Sequence, residues 1–110
     1  MTPQQEALIA ALRSDRYAQG RDRLRSPDVD GKPCCCVLGV ACDVSELGKW
    51  EKQPGESWAY WLDDGLSCVA AAPLSVHFHF RLPPSLASLN DEGMTFGELA
   101  DYLEAIWSPA

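Results

Sequence analysis

No stretch of this sequence approaches the ~20 uninterrupted apolar residues that a membrane-spanning helix needs. The opening Met1-Thr2-Pro3-Gln4-Gln5-Glu6 also lacks a positive leader followed by an apolar core. Neither a membrane span nor export is expected, and the chain reads as cytoplasmic. Positive charge is scarce: 9 Lys and Arg stand against 16 Asp and Glu, a formal net charge of -7 with a pI near 4.6. Such a field repels phosphate backbones and attracts basic surfaces, which disfavours direct nucleic-acid binding. Also missing are Cys-x-x-Cys pairs, Cys/His arrays with ribbon spacing and the papain-type signature around a nucleophilic cysteine. These absences leave a soluble, acidic chain whose 110 residues suffice for one hydrophobic core, a single domain over 1–110.

Helix signals stand at both ends. Thr2 as N-cap, Pro3 at the first helical position and Gln5 three residues after the cap precede a stripe of Ala7, Leu8, Ala11 and Leu12, and the helix is expected to end near Asp15. Thr95 and Glu98 form a second capping box before Phe96–Trp107. Phe96, Leu99, Ala100, Leu103, Ile106 and Trp107 face inward there, and Glu98, Asp101 and Glu104 outward. Between these, Val37, Val40, Ala41 and Val44 predict a buried central helix from Cys35 or Cys36 to Leu47, with Gly48 as its C-terminal cap. In that helix Gly39 is a place where another backbone can approach. Tyr17 to Lys32 reads as an exposed connection. Its Asp28-Val29-Asp30-Gly31 is not a calcium loop, because loop position 12 is Gly39 and not Glu.

The middle segment reads as strands. Asp63-Asp64-Gly65 marks a hairpin between Ser57–Leu62 and Leu66–Ala71, and Val76-His77-Phe78-His79-Phe80 alternates as a strand would. A short helical turn is expected over Ser85 to Leu89. The fold class that follows is α+β: two to three amphipathic helices packed on a small antiparallel sheet from the middle segment.

Three separated motifs carry a resemblance. Ala11-Leu12-Arg13-Ser14 with Tyr17, Gln19-Gly20 and Leu24-Arg25 form the first; Cys36-Val37-Leu38-Gly39-Val40-Ala41-Cys42-Asp43 forms the second; Leu86 to Phe96 with Leu99-Ala100 forms the third. Together they resemble a family of small uncharacterised phage and prophage proteins. Members of that family usually carry two adjacent cysteines directly before the Leu-Gly-Val step, whereas here Cys36 is followed by Val37. The resemblance implies a phage-derived product acting inside a bacterial cell, and it brings no activity. Trp50 to Phe80 takes no part in it.

Four of the five cysteines fall between Cys34 and Cys42, and a thiol cluster has three readings. As a nucleophile, Cys34, Cys35 or Cys36 at a helix N-terminus, with Cys36 taken as the one for the site, would need His77 or His79 as base and Asn90 or Asp91 to orient it. As a zinc site, His77 and His79 would combine with Cys36, Cys42 or Cys68. As core, the thiols are small buried hydrophobes. In the core reading the chain has no catalytic set and no cofactor.

A partner reading draws on Glu98, Asp101 and Glu104 as an acidic docking face and on Tyr60 and Trp61 as aromatic anchors. Its expected partner is a host protein, most concretely a nucleic-acid-handling complex inhibited in an anti-defence (anti-CRISPR-like) role. The arginines of Arg21-Asp22-Arg23-Leu24-Arg25 are expected to pair with the protein's own carboxylates. The sequence leaves the oligomeric state open.

Overall fold

The computed structural model describes residues 1–108, so the last two residues of the domain expected over 1–110 lie outside the described residues. Along the chain come α1 (Pro3–Arg13), β1 (Ala18–Gln19), β2 (Arg25–Val29), β3 (Lys32–Cys35), α2 (Val37–Ser45) and β4 (Gly48–Lys52). After a 3-10 turn (Pro54–Glu56) follow β5 (Trp58–Leu62), β6 (Ser67–Cys68), α3 (Leu74–Phe80), α4 (Leu86–Asp91) and α5 (Phe96–Trp107). The strands make two small sheets, a mixed one in the order β1-β3-β2 and an antiparallel one in the order β4-β5-β6. The fold is α+β. None of its described helices is long and apolar enough to cross a membrane.

Both long helices start on the caps that their sequence carries. Thr2 accepts from the Gln5 N–H while the Gln5 side chain accepts from the Thr2 N–H, and Thr95 and Glu98 repeat the exchange at α5. α1 packs on α5 and on α2. Their shared core holds Leu8, Leu12, Val37, Val40, Leu99 and Leu103, each at most 2% exposed. Gly39 is where α2 meets the chain before β2: a Cβ there would stand 1.8 Å from the Leu24 carbonyl oxygen. The Asp63-Asp64-Gly65 hairpin is present, joining β5 to β6 with Tyr60 opposite Cys68.

Four expectations are corrected. Val76–Phe80 is the C-terminal part of helix α3, not a strand: Val76 and Phe80, four residues apart, are buried, and Phe78 is 75% exposed. The alternation that suggested period 2 was equally a period of four between Val76 and Phe80. Tyr17 to Lys32 is not an irregular connection but supplies the mixed sheet. β2 is exposed along most of its length and bulged beside Pro27, so its side chains show no alternation. Its turn is Asp30-Gly31, both at positive φ, the dipeptide that two-residue hairpins favour. The central helix begins at Val37 after Cys35 has ended β3, and its cap is Glu46 in the left-handed region; Gly48 opens β4. Ile106 is 46% exposed and leaves the inner stripe of α5.

Candidate functional site

The three motifs converge on one junction centred on the buried Asn90. Asn90, fully buried at the end of α4, accepts from the Val37 N–H (3.1 Å) and from Gln19 Nε2 (3.0 Å), and donates to the Gly20 carbonyl (3.0 Å). The Val37 amide is the first of α2, and Cys36, the N-cap residue, makes no side-chain cap. Asn90 therefore caps α2 from 53 residues away. Gln19 completes the junction, accepting from the Phe96 N–H (3.0 Å) and donating to the Met94 carbonyl (2.7 Å). On the far side of α2, Asp43 accepts from the Tyr17 hydroxyl and from Trp50 Nε1 (3.0 Å).

Of the five residues proposed for a cysteine nucleophile, the junction gathers three. Cys36 is 6% exposed beside Asn90 and the exposed Asp91. Burial raises its thiol pKa, against the backbone N–H groups of Gly39 and Leu38 that lower it, and Asp91 raises it further. Cys35 is pushed up to about 12 by burial, and Cys42 is raised by burial as well. A nucleophilic thiol requires the opposite shift.

The two histidines stand apart from the junction. Both lie on α3, and among the described residues neither imidazole hydrogen-bonds a cysteine or a carboxylate. The helix also undoes the zinc alternative. Residues two apart on a helix point about 200° apart, so His77 and His79 do not share a side as they would on a strand. Among the described residues no group of three or more His, Cys, Asp or Glu is placed to hold a metal ion, so His77, His79, Cys36, Cys42 and Cys68 form no centre.

The proposed partner residues separate into outside and inside. Glu98, Asp101 and Glu104 lie along the exposed face of α5. Arg13 of α1 spans two of them, at 2.8 Å from Asp101 and 2.8 Å from Glu104, which blunts the stripe. Tyr60 is not an exposed anchor. It is 1% exposed, its hydroxyl donating to the Cys42 carbonyl (2.7 Å) and accepting from the Gly48 N–H (2.7 Å). Trp61, its neighbour on β5, faces the other way and lines a shallow cleft of about 360 Å³ with Lys49, Glu51 and Asp63.

In the basic segment Arg25 behaves as expected, reaching Asp28 at 3.3 Å. It also stacks on Trp58 (3.9 Å from the ring centroid) and approaches Trp50 (5.6 Å). Among the described residues the other ion pairs involve Arg13 alone, so Arg21 and Arg23 are not paired.

Comparison with protein-family models, with curated proteins and with solved structures finds no match.

Two features of the molecule have little or no signature in the sequence pattern. The capping role of Asn90 has no local signal, since its partners are 53 to 71 residues away. The exposure of Leu74 and Phe78, at 72% and 75%, was hidden by the strand assignment. A signal for it exists: the 16 residues between Asp64 and Arg81 contain no Asp, Glu, Lys or Arg.

Proposed function

We propose that this protein is a non-enzymatic binding protein of phage or prophage type. It acts in the cytoplasm of a bacterial cell by docking on a host protein and modulating it, with anti-defence (anti-CRISPR-like) inhibition as the most concrete form. The observation that carries this reading is the acidic exterior: net charge -7, with Glu98, Asp101 and Glu104 on the exposed face of a helix with a capping box at its start, the last two sharing Arg13. A field of that sign steers the chain toward basic surfaces and speeds association. Thiols held protonated by burial, with no imidazole bonded to them among the described residues, favour binding over cysteine catalysis.

Two measurements test the reading. Asp101→Lys with Glu104→Lys, and Glu98→Gln to keep the cap, are expected to weaken capture of the host partner at least tenfold at low salt; unchanged capture removes α5 from the interface. A thiol-specific reagent at pH 7 is expected to label no cysteine faster than a thiol in an unfolded peptide. A single hyperreactive cysteine would replace the binding reading with an enzymatic one.

A further inference from the structure

The longest run of the sequence without Asp, Glu, Lys or Arg, Gly65 to Phe80, is also where apolar side chains reach the surface. Of the seven large hydrophobic side chains exposed among the described residues, four fall in it: Leu66, Val69, Leu74 and Phe78. The last two are the most exposed of all, at 72% and 75%, and both sit on α3. They stand four residues apart, so they are neighbours on one helical face. Val76 and Phe80 of the same helix are fully buried, and the Phe80 carbonyl accepts from Gln5 Nε2 at 2.9 Å, so α3 is fixed to the body while it presents that pair. A fixed short helix offering two bulky apolar side chains one turn apart matches the helix-in-groove mode of protein recognition.

The charge of the chain selects among occupants. A second copy would bring -7 against -7, and an anionic lipid surface is repelled for the same reason. A basic protein is attracted by the net negative charge of the chain, and the Gly65–Phe80 segment that carries the face holds no Asp, Glu, Lys or Arg to oppose it. Resting on the binding reading above, we infer that the Leu74–Phe78 face of α3 is the apolar anchor of the interface, and that its partner is a protein with an apolar groove in a basic surround. The carboxylates of α5 contribute steering, and α3 contributes the contact that holds.

The test places a photo-crosslinking phenylalanine analogue at position 78 of the full chain and, separately, at position 29, where Val29 is exposed outside the segment. Irradiation is done in bacterial cells producing the protein. The expected result is an adduct from position 78 with one protein of basic composition, at least tenfold stronger than from position 29. Excess wild-type chain should compete it away, and a Leu74→Ser, Phe78→Ser chain with unchanged thermal midpoint should compete at least tenfold less well. An adduct with a second copy, co-flotation with phosphatidylglycerol vesicles that Phe78→Ser abolishes, or an adduct with an acidic protein would each overturn the inference. No adduct from position 78, with capture that the α5 substitutions still weaken, overturns this surface and leaves the binding reading standing. If wild-type chain captures no host protein at all, the binding reading fails and this surface with it.

Discussion

The junction around Asn90 and the segment from Gly48 to Phe80 use their side chains in opposite ways. At the junction polar groups satisfy one another: buried Asn90 bonds the first amide of α2 and the side chain of Gln19, which lies at the surface, and Cys36 fills space beside Asn90. The later segment keeps part of its apolar surface outside, with Leu66, Val69, Leu74 and Phe78 exposed. Three separated stretches of the sequence meet in the first region, through Gln19 and Gly20, Val37, and Asn90. The second region carries the α3 surface proposed above as the partner contact.

The contrast can be broken most severely at Gly39. Gly39→Ala puts a methyl group 1.8 Å from the Leu24 oxygen, a backbone atom that cannot rotate away. Helix propensity alone would make the change favourable by about 1 kcal/mol. The overlap should reverse that sign and cost about 3 kcal/mol or more, read as a lower denaturant midpoint. A neutral or stabilising result would mean that α2 and the chain before β2 are not in contact. Asn90→Ala is expected to follow closely, at about 2–3 kcal/mol, because it leaves the Val37 amide and the Gly20 carbonyl without their partner in a buried site. Substitution of Phe78 by Ser, in the other region, should leave the midpoint within about 0.5 kcal/mol.

The sequence shows those parts of the fold whose forces are local. Thr2 with Gln5 and Thr95 with Glu98 bond within three residues, so the two capping boxes are legible and the helices that follow them are present. The Asp63-Asp64-Gly65 hairpin and the opening at Gly39 are legible for the same reason. The mixed sheet is not: β1 pairs with β3 in parallel across 16 residues, and β2 is half-buried at Arg25 and Ser26 and exposed beyond them, so it shows no alternation. Its Asp30-Gly31 turn is a local signal, masked because the same residues faintly resemble the start of a calcium loop. α3 is misread because five residues cannot separate a period of two from a period of four. For the candidate sites, the acidic face of α5 is legible from helical spacing, and the burial of Tyr60 is not. On β5 either Tyr60 or Trp61 had to turn inward, and the choice depends on α2, whose Cys42 carbonyl receives the Tyr60 hydroxyl.

Arg25 is where the two regions are stitched together, and its expected effect on stability is smaller than those at Gly39 and Asn90. It stands on β2 of the mixed sheet, yet its guanidinium lies 3.9 Å from the ring centroid of Trp58 on β5, while the neighbouring Leu24 N–H donates to the Val69 carbonyl at 2.8 Å. Arg25→Lys keeps the charge and loses the planar stack, which is worth about 1–2 kcal/mol when partly desolvated. Against that loss, Arg25 Nε is buried with no hydrogen-bond partner among the described residues, and the substitution removes this unpaired donor. The Asp28 contact is half exposed on the carboxylate side and adds little. Losing the stack destabilises and removing the unpaired donor stabilises, so the midpoint should fall by less than about 1 kcal/mol. Amide exchange separates this from a general loosening: β4, β5 and β6 should exchange faster while α2 and β3 keep their protection. Equal acceleration in both would show that the junction and the Gly48–Phe80 segment unfold as one unit.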